Sequence, residues 1–257
     1  MEAPDIPSHG AKMYTVLYLA SGPGAHPTVL LMPGFPGNEQ NMDLAYSVRR
    51  AGWNVLAPHY RGSWGSEGTF SFTHAIEDTQ AAVQFLRDPE NVKKYRIDPR
   101  RIVLIGHSVG GFTVAYVATH DRDIFGVAMI AASNLGPSTL RSLSLNPKEI
   151  HDRFRANASR LVGTTPEGLL EEVKQNSANW NYLDYVPALK DRPMLIVEAD
   201  DRNFSDNHDL AVALKSAGNT QILETHMPTD HTFSDHRIAL QAAVLEWLLA
   251  IAPQKTK

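Results

Sequence analysis

Gly106-His107-Ser108-Val109-Gly110-Gly111 is the stretch on which the fold turns. It satisfies G-x-S-x-G, with an apolar run at 101–105 before it and a helix-prone run at 112–119 after it. A serine on a sharp strand-to-helix turn takes strained backbone angles, so the residues two places either side must be small. The result is an exposed hydroxyl beside a helix N-terminus, where backbone amides favour developing negative charge. A glycine-rich turn without chemistry is the plainer reading. The flanking strand, the flanking helix and the extra Gly111 favour a nucleophile at Ser108. The stretch does not match G-x-G-x-x-G, and no G-K-[ST] phosphate loop is present, so no nucleotide cofactor is expected.

Working outward, the run at 101–105, continuously apolar after Arg101, reads as a central strand buried on both faces. Upstream, strands are expected at 13–20 and 28–32, separated by Ser21-Gly22-Pro23-Gly24. A helix at 41–51 is closed by Gly52, a strand follows at 53–57, and a helix at 75–86. Pro89 and Pro99 bracket a connecting segment. Downstream come strands at 125–131, 194–197 and 221–224, with helices at 210–217 and 238–251. This alternation implies an α/β fold, a mostly parallel sheet with helices on both faces. Residues 133–190, roughly 58 of them, break the rhythm and are too long for a bare connection. They read as an inserted helical cap within a single domain spanning 1–257.

The composition narrows the chemistry. The 257 residues include no cysteine, eleven histidines, and 24 basic against 28 acidic side chains, for a net charge of −4. Zero Cys removes thiol nucleophiles, disulfides, Cys-ligated zinc and iron–sulfur clusters. The mild acidity has no basic block, hence no nucleic-acid footprint. No apolar run approaches the roughly 20 residues of a membrane span, and the N-terminus lacks the features of a signal peptide. The chain reads as soluble, cytoplasmic or exported after removal of a leader. His226, His231 and His236 with Asp230 and Asp235 raise the question of a metal. Five-residue spacing suits no single helix face and no H-E-x-x-H is present, so no metal is expected.

Pro33-Gly34-Phe35-Pro36-Gly37-Asn38-Glu39, Tyr60-Arg61-Gly62-Ser63-Trp64-Gly65-Ser66, the turn at 106–111 and Thr229-Asp230-His231 together resemble the α/β-hydrolase superfamily. The resemblance runs from about Met13 to Ile251, and within it the chain looks like the prolyl-oligopeptidase catalytic domain and serine aminopeptidase-like esterases. It implies the chain order Ser, acid, His, which makes His231, after the strand at 221–224, the general base. The acid should follow the strand at 194–197, where Glu198, Asp200 and Asp201 all qualify. The usual spacing from Pro193, shortened by one residue, selects Asp201. Matching Asp200-Asp201-Arg202 to the oligopeptidase D-D-R selects Asp200 instead. Asp201 is taken first, Asp200 as its alternative and Glu198 last.

The same resemblance places the oxyanion donors at the Val109 amide and at the Phe35 amide, directly after Gly34. Pro36 has no N–H and cannot serve. Where the family usually writes His-Gly this chain has Pro33-Gly34, which affects loop support more than the donor. Among the other histidines, His107 should point away from Ser108, and His59 and His74 should line loops or cap elements. The remainder read as surface residues. The loop at 60–66 and Asp78 read as bracing. Leu135, Phe154, Leu161, Trp180 and Tyr182 either line an acyl pocket or bury the cap on the body, and 162–166 is a hinge or a helix start.

These readings converge on a cofactor-free serine hydrolase of a small to medium ester or amide, with ester preferred. Peptidase or acyltransferase chemistry would use the same residues. A non-catalytic ligand-binding protein on this fold is the rival from another class.

Overall fold

The computed structural model describes residues 1–38 and 40–252; Glu39 of the quoted motif lies outside the described residues. Strands β1 (Ile6–Ser8) and β2 (Ala11–Met13) form an antiparallel hairpin. They are followed by β3 (Thr15–Tyr18), β4 (His26–Met32), α1 (Met42–Arg50) and β5 (Asn54–Pro58). Next come α2 (Phe72–Arg87), α3 (Pro89–Tyr95), β6 (Ile97–His107), α4 (Val109–His120) and β7 (Gly126–Ile130). The inserted region holds α5 (Leu135–Leu145), α6 (Pro147–Ala158), α7 (Pro166–Asn176), the short 3₁₀ turn Tyr182–Tyr185 and α8 (Val186–Leu189). The chain closes with β8 (Met194–Ala199), α9 (Phe204–Ser216), β9 (Ile222–Met227) and α10 (Arg237–Ile251).

Seven strands form one sheet in the order β3-β5-β4-β6-β7-β8-β9. β3 runs antiparallel to β5, and the other neighbours are parallel. β6 lies at the centre, and Val103, Leu104 and Ile105 are all fully buried, as a strand covered on both faces requires. The two-residue period divides the apolar side chains between two cores. Leu30, Met32, Leu104, Met129 and Ile196 face one, shared with Phe112 and Val114 of α4 and Leu210 of α9. Val29, Leu31, Val103, Ile105 and Val197 face the other, under Leu44 and Val48 of α1 and Leu240 and Val244 of α10.

Several features differ from the expected elements: β6 begins at Ile97 and α9 at Phe204, well before the expected 101 and 210. The strand expected at 13–20 is two strands, because its N-terminal end turns back into the β1–β2 hairpin. The segment between Pro89 and Pro99 contains α3, capped by Asp88, whose carboxylate accepts from the Glu90 and Asn91 amides.

The inserted region is not all roof. Tyr182 and Leu189 are buried in the core beneath it, while α5, α6 and α7 stand over the sheet's carboxyl edge. They are tied down at several points. Ser63 and Leu161 form an isolated antiparallel bridge, the Phe70 amide donates to Val162 O at 2.9 Å, and the Val162 amide donates to Gly62 O at 2.8 Å. Glu172 of α7 accepts from the Phe72 and Thr73 amides, capping α2 from a distance. A Cβ at Gly163 would lie 2.2 Å from Thr69 Cγ2. The segment at 162–166 is therefore a packed tether followed by a helix start, with Thr165 as the N-cap of α7, and not a hinge.

Candidate active site

Ser108 sits between β6 and α4 with φ 56° and ψ −118°, outside the regions open to an ordinary L-residue. The surrounding contacts explain the glycines. A Cβ at Gly106 would meet Gly110 O at 2.1 Å, and one at Gly110 would meet Met32 O at 2.4 Å. No side chain relieves a clash with backbone, so those two positions admit only glycine. Val109 opens α4, and its N–H is among the first-turn amides with no acceptor inside the helix.

The parallel strands deliver the other groups to the same carboxyl edge. His231, in the loop after β9, has Nε2 2.9 Å from Ser108 Oγ and Nδ1 2.5 Å from Asp201 Oδ2. An ionised carboxylate only accepts, so Nδ1 carries the hydrogen and Nε2 is free to accept from the serine hydroxyl. Asp201 follows β8, and its Oδ1 accepts from the Asn203 amide at 2.8 Å. Its side chain is 9% exposed, whereas that of Asp200 is 62% exposed and pairs with His226 Nε2 at 2.8 Å. Glu198 faces neither. It is buried near His208 and Glu224, and burial reinforced by the Glu224 charge pushes its carboxyl up to about 7. Lys215 is ion-paired to Glu224 beside it.

The loop at 33–37 lies against Ser108: a Cβ at Gly34 would be 3.1 Å from Ser108 Cβ. Tyr60 donates its hydroxyl to Pro33 O at 3.0 Å, and Trp64 Nε1 donates to Pro36 O at 2.9 Å. These two bonds hold the loop that has Pro33 where the resemblance leads one to expect a histidine. The loop at 60–66 is itself anchored by Arg61, whose backbone and Nε both donate to the fully buried Asp78, with Ser8 Oγ donating to the same carboxylate. The bracing expected of Arg61, Trp64 and Asp78 is thus what their contacts show.

Above Ser108 is a cavity of about 220 Å³. Phe35, Phe72, Leu135 and Phe154 give it an apolar wall, and Arg153, Asn157, Arg202 and Asn203 a polar one. Phe35 packs its ring 5.3 Å from Phe72 and 5.7 Å from Phe154, joining body to cap. Of the apolar cap residues, Leu135 and Phe154 line the cavity, while Leu169, Leu170, Trp180 and Tyr182 are buried in the core.

Ser133 and Asn203 escaped the sequence reading, as did the contact that His107 makes with His231. Ser133 Oγ lies 3.3 Å from Ser108 Oγ, and the Ser133 amide donates to Ser108 O. Buried Asn203 donates Nδ2 to Ala131 O at 3.1 Å, holding the turn that carries Asp201. The His107 side chain makes no hydrogen bond to Ser108, but its Nε2 lies 2.8 Å from His231 O and its ring sits tilted at 44°, 4.8 Å from the His231 ring. Burial, then the neighbouring imidazole, pushes His107 down to about 3, so it stays neutral and donates to that carbonyl. No local spacing signals these contacts, which arise only when β6, β7, β8 and β9 align. The remaining acidic and histidine groups pair locally: Asp235 with His236, and Asp230 with Thr232 and Ser234.

Residues 40–254 match the prolyl oligopeptidase family. The chain belongs to that family. It is a serine hydrolase with the α/β-hydrolase fold. Its relatives within reach of sequence comparison include the uncharacterized peptidase YtmA of Bacillus subtilis, 27% identical over 217 residues, covering 79% of this chain and 78% of that protein. YfhR of Escherichia coli O157:H7 is 32% identical over 184 residues, covering 67% and 63% respectively. Among solved structures, Est1E from Butyrivibrio proteoclasticus superposes with a TM-score of 0.70 at 17% identity, covering 98% of this chain and 99% of that one. The thermostable carboxylesterase EstE1, cloned from a metagenomic library, gives 0.69 at 20% identity, covering 98% and 89%. Among the described residues no helix is long and apolar enough to cross a membrane.

Proposed function

We propose that this family member hydrolyses carboxylic esters of small to medium substrates through Ser108, His231 and Asp201, within a single domain whose cap narrows the entrance. The observation that carries the reading is the unbroken chain Asp201–His231–Ser108 at the floor of a cavity of about 220 Å³. Ser108 Oγ attacks the carbonyl carbon while His231 Nε2 takes the hydroxyl proton. Asp201 holds the ring in the productive tautomer and stabilises the imidazolium. The Val109 and Phe35 amides receive the oxyanion, a contribution of about 10²–10³ in rate per donor. The tetrahedral adduct collapses, the alcohol leaves with the proton from His231, and water repeats the sequence on the acyl-serine. No step calls for a cofactor.

The preference for esters over amides is supported by the apolar wall of Phe35, Phe72, Leu135 and Phe154 and by the esterases among proteins of similar fold. Peptidase action is the second reading, favoured by the family and by the name given to YtmA. A panel of para-nitrophenyl acyl esters of increasing chain length, set beside aminoacyl para-nitroanilides, separates them. Short to medium esters should turn over fastest, and Ser108→Ala should lower that rate by at least about 10⁴. Faster turnover of any anilide would replace the ester reading with the peptidase one. Full activity in Ser108→Ala would end both.

A further inference from the structure

Two arginines face the cavity over Ser108: Arg153 from α6 of the cap and Arg202 from the turn after β8. Other part-buried arginines of the chain find acceptors: Arg61, Arg87 and Arg237 pair with Asp78, Asp121 and Asp43, and Arg49, Arg96 and Arg192 donate to backbone carbonyls. Part-buried Arg153 and exposed Arg202 have no such acceptor: no ion pair or side-chain hydrogen bond joins either guanidinium to a described residue. Arg153 Nη1 is fully buried and unpartnered. Its guanidinium stands 5.8 Å over the Phe154 ring, which holds its plane without satisfying its donors. The acidic groups nearby are Glu149, exposed on α6, and Asp201, whose carboxylate is engaged by His231 and Asn203. Burial and then repulsion from Arg202 lower the affinity of Arg153 for its proton, to about 10. An unpaired donor fork beside a second like charge is costly to keep, and its geometry matches a planar two-oxygen anion.

We propose that Arg153 and Arg202 form a carboxylate-binding subsite, so that the preferred substrate bears a carboxylate remote from the bond that is cut. The inference rests on the serine-hydrolase reading above and specifies its substrate class. The cap thereby contributes recognition as well as enclosure, because Arg153 reaches the cavity only from α6. Arg202, one residue past Asp201, places the anion near the catalytic centre, which suits a short half-ester better than a long acyl chain.

The test uses the full chain and two matched pairs. Para-nitrophenyl hydrogen glutarate against para-nitrophenyl pentanoate puts the charge on the acyl side. Para-acetoxybenzoate against its methyl ester puts it on the leaving group. On one side or the other, kcat/KM should favour the anion by at least about tenfold, mostly through KM, and the pair that shows it names the side. Arg153→Met should reduce that anion-to-neutral ratio by about tenfold, with Arg153→Lys intermediate, because an ammonium keeps the charge but loses the fork. The wild-type comparison stands even if the Met variant fails to fold. Preference for the neutral partner in both pairs, or a ratio unchanged in Arg153→Met and Arg202→Met alike, overturns the subsite and leaves the hydrolase standing. No turnover of any of the four overturns both.

Discussion

Ser108 holds a backbone conformation that an isolated residue would avoid, at an expense of order 1–3 kcal/mol. That strain is tolerated because Gly106 and Gly110 let β6, α4 and β4 close around it. At this scale the distinction between Asp201 and Asp200 is sharp, since one is buried against His231 and the other exposed against His226. Asp201→Asn should lower kcat by about 10⁴, the loss seen when a triad carboxylate becomes an amide, whereas Asp200→Asn should change it little. Steady-state kinetics on the best ester distinguishes them, and equal losses would undo the assignment. His107 bonds the His231 carbonyl from behind, and burial holds it far below an ordinary histidine, at about 3. The unfolded chain therefore takes up a proton near pH 6.5 that the folded chain refuses, and stability falls as pH drops from there toward 3. His107→Gln keeps a donor to His231 O and removes the titration. Between pH 6 and 5, wild type should lose up to about 1.4 kcal/mol more than this variant in urea unfolding. Parallel losses would show that His107 is not the group responsible.

Elements carry the oxyanion side of the site. The loop at 33–37 departs from the usual His-Gly pattern, and the bonds from Tyr60 and Trp64 hold it. Trp64→Phe keeps an aromatic ring but loses the indole N–H that donates to Pro36 O, with the five-membered ring that carries it. It should lower kcat by about tenfold with KM nearly unchanged, because a misplaced Phe35 amide weakens oxyanion binding more than substrate binding. A rise in KM alone would move Trp64 to substrate contact. Element by element, the sequence is readable where local sterics or periodicity act. The β6–α4 turn is visible because Gly106 answers a clash with Gly110 inside the motif itself, although Gly110 answers one with Met32 O of β4, and β6 because burial on both faces leaves the apolar run Ile102 to Ile105. The β1–β2 hairpin is too short to show alternation, and α3 hides behind its own prolines. Ser133, Asn203 and His107 act across strands that are distant in sequence, so nothing in their immediate surroundings marks them.

For the molecule as a whole, order of strands turns scattered residues into one site. The sheet places the ends of β4, β6, β8 and β9 along one edge, so a loop from each reaches Ser108. That His231 and a carboxylate after β8 should meet near Ser108 is foreseeable because the superfamily order names the strand each follows, but that order does not choose between Asp200 and Asp201. Arg153 is not foreseeable, since the path of α6 over the cavity depends on how the cap folds back. The bridge of Ser63 to Leu161 and the bonds of Val162 to Gly62 and Phe70 hold that cap on the body. The central claim is that this architecture makes Ser108, out of all the serines in the chain, a nucleophile driven by His231. Labelling with a fluorophosphonate, followed by intact mass and peptide mapping, tests it most directly. The account predicts one adduct, on the peptide containing Ser108, and its loss in His231→Ala; a folded wild-type protein left unlabelled at Ser108, or labelled at another serine, would contradict it.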